Sequence, residues 1–275
     1  LEVMHMEITP IIKTNFLSFE ADAPISSMIG KLAKNQQRSG LVFKNNAYKG
    51  MIEKKGLLKT KLDTTQSKIN SFLQKTPLVN EHADLIETAY LMYNSNLDCL
   101  PVERNKQIVG IVKSLNLAFQ ATLLPELENL QVEDVKLLKL PKVNKDDSMA
   151  TVIDVMYKQR VEHVPLFDKN KIFGIISYRD VLQKYLLSTP KRENSAKFTA
   201  ERRTKSAKGN PSSLPSLPAM SFSTNANLVT VTNKNSLKSA VALMMQNKVS
   251  SALVMEKGEF KGLLTAKNIL RLVGS

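Results

Sequence analysis

The chain contains no tryptophan, one cysteine (Cys99) and three histidines (His5, His82 and His163). A single cysteine excludes an internal disulfide, and three scattered histidines offer no metal-ligand spacing. Cys99 lies in the apolar run from Leu97 to Val102 with no histidine or acid at a nucleophile's spacing, so it reads as a small buried hydrophobe. Aromatic residues make up 6% of the chain, which leaves no obvious platform for stacking bases. No apolar run approaches the roughly 18–20 residues that cross a bilayer, and the N-terminus lacks the charged-then-apolar layout of a signal peptide. The expected location is cytoplasmic, with no membrane partner. Paired carboxylates, a Ser/His/Asp arrangement and a P-loop are also missing, so no catalytic residue is assigned and the chain reads as a non-enzyme.

What is present is length and positive charge. With 275 residues and 43% hydrophobic content the chain can bury sizeable cores, and its length suggests about two domains. Lysine and arginine outnumber the acids 39 to 25, a net charge of +14 that attracts nucleotides, nucleic acid or acidic protein partners without choosing among them.

One arrangement occurs four times. Gly50-Met51-Ile52-Glu53, Gly110-Ile111-Val112-Lys113, Gly174-Ile175-Ile176-Ser177 and Gly262-Leu263-Leu264-Thr265 each place a glycine before two apolar residues and then enter a helical pattern. Twenty-six residues before each glycine lies a helix-starting residue: Pro24, Asp84, Ser148 or Ser236. An amphipathic stretch follows; in the third copy Met149, Val152, Ile153 and Met156 share one helix face. Then come a short apolar strand and a turn at Asn45-Asn46, Asn105-Lys106, Lys169-Asn170 or Lys257-Gly258, which predicts a hairpin. The unit reads strand, helix, strand, turn, strand, helix, an α+β class, with closing helices at Leu57-Leu58, Leu115 to Phe119, Val181 to Leu187 and Ile269 to Val273. The glycines are spaced by 60, 64 and 88 residues, and the last excess falls on a Ser/Pro-rich stretch, 190–218. Its seven basic residues from Lys191 to Lys208 face only Glu193 and Glu201, a net of +5, so a solvated loop is expected.

These residues resemble the CBS domain family, named for the regulatory domain of cystathionine β-synthase. The resemblance covers nearly the whole chain as four motifs, 9–62, 68–125, 132–189 and 219–275. It implies two tandem Bateman modules, motifs one with two and three with four, forming a monomeric disc or associating as a homodimer. It also implies a regulatory ligand containing adenosine: AMP, ADP, ATP or S-adenosylmethionine. The family signature for such a site is a glycine, two apolar residues, Ser or Thr, two variable residues and Asp.

Only the third copy keeps both polar members, Ser177 and Asp180. A carboxylate can accept from both hydroxyls of a ribose, and a hydroxyl at a helix start can donate to a phosphate. Arg179 is a further candidate for charge-assisted contact, Val143, Val164 and Pro165 for the apolar slot, and His163 for its rim or for packing. The fourth copy, with Thr265, Lys267 and Asn268, is expected to bind a weaker or different ligand. The second, with Lys113 and Asn116, can hold an anion by charge alone. In the first, Glu53 would repel a phosphate, so that copy reads as structural. The competing function is a nucleic-acid-associated protein that uses the positive surface and the 191–208 loop.

Overall fold

Each of the four glycines sits inside a strand, paired with the residue just before a bulge in the neighbouring strand: Val42, Val102, Leu166 or Val254. A computed structural model of the chain describes residues 5–53, 67–181, 216–224 and 228–274. In the first repeat β1 (Ser18–Glu20) pairs in parallel with β2 (Ser39–Lys44), β2 pairs antiparallel with β3 (Ala47–Glu53), and α1 (Ile25–Lys34) connects β1 to β2. The second repeat has β4 (Val79–Asn80), α2 (Leu85–Ser95), β5 (Cys99–Arg104) and β6 (Gln107–Lys113), followed by α3 (Ser114–Ala121) and the short α4 (Pro125–Glu128). The third has β7 (Val143–Asn144), α5 (Met149–Lys158), β8 (His163–Asp168) and β9 (Lys171–Ser177), then helical residues 178–181. The fourth has β10 (Thr230–Val231), α6 (Leu237–Gln246), β11 (Ser251–Glu256), β12 (Glu259–Thr265) and α7 (Ala266–Gly274).

All four sheets have the same strand order and hairpin register. The local chemistry explains why. Asn45 and Asn46 take φ of 53° and 62°, and Lys257 and Gly258 take 49° and 82°, the left-handed pair that a two-residue hairpin turn requires. Pro24, Asp84, Ser148 and Ser236 are the N-caps of α1, α2, α5 and α6, as the sequence predicts. Asp84 Oδ1 accepts from the Ile86 and Glu87 amides at 2.7 and 3.2 Å, meeting two of the donors a helix start leaves unpaired. The helix expected at Leu57-Leu58, the continuation of the third closing helix past Val181, and residues 190–215 of the basic stretch lie outside the described residues.

The short segments before each repeat act as arms laid on another repeat's third strand. Lys13 and Ile111 exchange both backbone hydrogen bonds, at 2.8 and 2.9 Å, so the arm of the first repeat lies on β6. Met51 and Gln74 exchange the equivalent pair at 2.9 and 2.8 Å, so the arm of the second lies on β3. Leu138 with Leu263, and Thr224 with Ile175, repeat the geometry on β12 and β9. Each arm satisfies backbone groups at a strand edge that would otherwise be open. The glycine makes room for it. A Cβ on Gly50 would stand 2.5 Å from the Gln74 carbonyl oxygen, and one on Gly262 would stand 3.0 Å from Leu137 Cβ.

The chain divides into two compact units, residues 1–141 with 225–275, and residues 142–224. In the first, α2 packs on α7, and α3 packs on both α6 and α7. Their apolar faces join the sheets in one core containing Leu85, Met92, Leu117, Leu237, Met244 and Leu270. Burying each such side chain contributes about 1.5–3 kcal/mol. In the second unit α5 turns Met149, Val152 and Met156 inward, and Val143, Val164, Leu166 and Ile176 of its sheet are likewise fully buried.

Candidate functional site

The third repeat brings its two signature side chains into direct contact. β9 ends at Ser177 and the helical residues begin at Tyr178. Ser177 Oγ donates to Asp180 Oδ2 at 2.6 Å, the Ser177 amide donates to the same oxygen at 2.9 Å, and the Asp180 amide donates to Ser177 Oγ at 3.2 Å. This is a reciprocal cap, and it puts a negative charge at the positive end of the helical turn. The Ser177 hydroxyl spends its one proton on Asp180, so donating to an incoming phosphate requires that O–H to rotate. Asp180 Oδ1 carries no hydrogen bond among the described residues, and Asp180 is partly exposed.

The pleat sorts the other candidates. His163 pairs with Ser177 across the hairpin, and Pro165 pairs with Ile175. Alternation puts these four side chains on one face of the sheet and Val164, Leu166 and Ile176 on the other. Val143, beside Leu166 in the parallel pair, belongs to that second, buried face. Val143 and Val164 therefore back the sheet, whereas His163, Pro165, Ser177 and Asp180 share its other side. Arg179 is exposed, and His163 is buried.

The fourth repeat builds the same cap differently. Thr265 Oγ1 and the Thr265 amide donate to Asn268 Oδ1 at 2.6 and 3.0 Å, while Asn268 Nδ2 donates to the Lys136 carbonyl at 3.2 Å. Lys136 belongs to the arm on β12, so an amide is needed here because a carboxylate would face that carbonyl oxygen. Oxygen and nitrogen of Asn268 are both engaged. Lys267 points its ammonium to Asn96 Oδ1 at 2.7 Å and to Asp98 Oδ1 at 3.5 Å, at the C-terminal end of α2. A cation there meets both a carboxylate and the negative helix end. Replacing Lys267 by Met leaves a largely buried Asp98 carboxylate without this cation. The expected loss is about 1–2 kcal/mol in denaturant unfolding, reduced from the fully buried case because the pair is partly solvated.

The first two repeats place different chemistry at the same positions. Ser39 Oγ and Cys99 Sγ, at the starts of β2 and β5, lie 3.2 Å apart. Lys113 donates to Gln37 Oε1 at 3.1 Å, and its pKa is lowered by burial first and then by the charges of Arg38 and Lys13. Glu53 is buried and its Oε1 accepts from the Asp98 amide at 3.3 Å. Burial pushes the Cys99 thiol up to about 12, with Glu53 and Asp98 adding to the rise against the Ser39 hydrogen bond. At pH 8 the folded protein should therefore leave Cys99 unmodified by a thiol reagent, and stoichiometric labelling should follow only in denaturant. Sequence reading missed Gln37, Ser39 and Asp98. Ser39 was in principle recoverable, since Ser39, Cys99, His163 and Ser251 fall at one offset from the four glycines.

Among the described residues no cluster of His, Cys, Asp or Glu could hold a metal ion, and no helix is long and apolar enough to cross a membrane.

The CBS domain family model matches residues 71–118, 132–187 and 221–275, that is, the second, third and fourth repeats. The first repeat has the same strand order and register but lies outside the matched residues. An uncharacterized 33.4 kDa protein in a ribosomal RNA operon of Thermofilum pendens is 24% identical over 196 residues, 70% of this chain and 60% of that protein. Two solved structures share the fold over almost their full length. One, from Methanocaldococcus jannaschii and proposed as an archaeal homolog of g-AMPK, aligns with a TM-score of 0.78 at 14% identity, covering 97% of this chain and 99% of that one. The other, an uncharacterized conserved protein from Pyrococcus horikoshii, aligns at 0.64 and 14% identity, covering 98% and 100%.

Proposed function

This chain belongs to the CBS domain family, and we propose that it is a non-catalytic regulatory protein that binds an adenosine-containing ligand at the third repeat. The observation that carries the proposal is the state of the Asp180 carboxylate. One oxygen is fixed by the Ser177 cap and the other is open among the described residues, so an oriented acceptor is ready for a ribose hydroxyl. At the matching position of the fourth repeat, Asn268 spends both ends of its amide on Thr265 and Lys136.

AMP, ADP, ATP or S-adenosylmethionine would place its ribose on Asp180 and its charged group near the Ser177 hydroxyl, with Arg179 supplying positive charge from the exposed side and His163 and Pro165 flanking the site. Phosphate binding at Ser177 exchanges one hydrogen bond for another and gains the field of the helix start. A ligand of this kind regulates by binding one arrangement of the protein better than another.

A thermal-unfolding panel of the four ligands tests the proposal. A binding ligand at about 100 times its Kd raises stability by about 2.7 kcal/mol. Asp180→Ala should abolish that response. If none of the four shifts the midpoint, the third repeat does not act as an adenosine site.

A further inference from the structure

Two of the three histidines meet at one place, where the first repeat's arm crosses the entrance of α2. His82 Nδ1 lies 2.9 Å from Glu7 Oε2, and His5 Nδ1 lies 2.9 Å from Asp84 Oδ2. Glu7 and His5 belong to the arm, whereas His82 and Asp84 belong to the loop joining β4 to α2. The contacts thus cross between two repeats in both directions. Around them the Ile8 amide donates to the Ala83 carbonyl at 3.1 Å, the Leu85 amide to the Met6 carbonyl at 2.7 Å, and Thr9 Oγ1 to the Glu81 carbonyl at 2.8 Å. Arg104, from β5, grips Glu81 through its Nε at 2.6 Å, and His82 Nε2 stands 3.8 Å from the same carboxylate.

The charged groups facing this point are therefore Glu7, Glu81 and Asp84 against Arg104 and the two imidazoles. Protonating His82 adds a positive charge between the Glu7 and Glu81 carboxylates, 2.9 and 3.8 Å from its two ring nitrogens, and so strengthens the contact that holds the arm. We propose that residues 5–9 are a proton-fastened latch that holds the first repeat's arm on the second repeat and loosens as the His82 imidazole loses its proton.

The sign follows from the partners. The hydrogen bond that its ring N–H donates to Glu7 holds the His82 pKa above its usual 6.5, despite opposing desolvation, and accepting that bond holds the Glu7 carboxyl below its usual 4.5. A raised histidine contributes fully below its unfolded value and is lost as pH rises through the folded one. A lowered carboxyl contributes above its unfolded value and is lost as pH falls through the folded one. The latch is therefore tightest between about pH 4.5 and 6.5 and loosens above that window. Asp84 adds to the acid side of this behaviour. Burial raises its pKa, but hydrogen bonds from the Glu87 and Ile86 amides and from His5 outweigh that and leave it lowered. Loosening frees the edge of β6 near Lys113, because the same arm continues to the Lys13–Ile111 pair.

Amide hydrogen exchange on the whole chain, corrected for intrinsic pH dependence, tests this. The third repeat supplies an internal control, since Thr224 bonds to Ile175 in the same arm geometry with no imidazole pair beside it among the described residues. From pH 6 to pH 8.5 the protection of Ile8 and Leu85 should fall about two- to fivefold relative to Thr224, the range of an exposed ion pair. In the double variant His5→Gln/His82→Gln that relative fall should vanish. No relative fall in the unmodified protein, or an undiminished fall in the double variant, overturns the latch.

Discussion

Gly50→Ala is expected to cost about 2–4 kcal/mol of stability, the sum of a residue held in a conformation that favours glycine and an overpacked contact. Gly50 has φ of 152°, and the new methyl would stand 2.5 Å from the Gln74 carbonyl oxygen and 2.8 Å from Leu73 Cδ2. The first of these neighbours is backbone, held in place by the two hydrogen bonds between Met51 and Gln74, so it cannot swing away as a side chain would. Relief requires the arm to lift from β3, which uncovers Met51 and Ile52, both fully buried. Gly30 supplies the contrast. It lies inside α1, and a Cβ there meets nothing within 4 Å. Gly30→Ala should therefore stabilise the protein by up to about 1 kcal/mol through helix propensity and a less flexible unfolded chain. Urea unfolding of the two variants gives both numbers, and equal effects of the same sign would rule out a steric role for Gly50.

The hairpin glycine was visible in the sequence, but its task was not. Strand, turn and helix signals are local, so Asn45-Asn46, Asp84 and the apolar faces of α1 and α5 could be placed from residue type and spacing. The arms could not. The turn Ile69–Phe72 is too short to show a periodicity, and nothing in its composition says that Gln74, just beyond it, pairs with a strand of another repeat. Because that contact is non-local, the sequence marked Gly50 and Gly262 as recurring without showing the carbonyl oxygens they admit.

Ser177 and Asp180 were legible in position and ambiguous in meaning, because Ser-x-x-Asp is both the family's ligand signature and a sound way to cap a helix. At Asn268 the amide serves the cap and the arm together. Lys267 sits on Asn96 and Asp98, so its charge is already met within the first unit. The candidates for the apolar slot divide between the two faces of the sheet, since adjacent Val164 and Pro165 necessarily face opposite sides of a strand.

The fourth repeat also supplies the variant that separates ligand binding from folding. An amide at this position keeps the cap, as the hydrogen bonds from the Thr265 amide and Oγ1 to Asn268 Oδ1 demonstrate. Asp180→Asn should therefore fold with an unliganded midpoint close to that of the unmodified protein, yet it loses the negative charge and one of two acceptor oxygens. The decisive measurement is thermal unfolding of the two proteins side by side with AMP, ADP, ATP and S-adenosylmethionine. A rise with at least one ligand in the unmodified protein, on the order of 2.7 kcal/mol at a hundredfold excess over Kd, should be absent from Asp180→Asn. Equal rises in both proteins would contradict a ligand held by the Asp180 carboxylate.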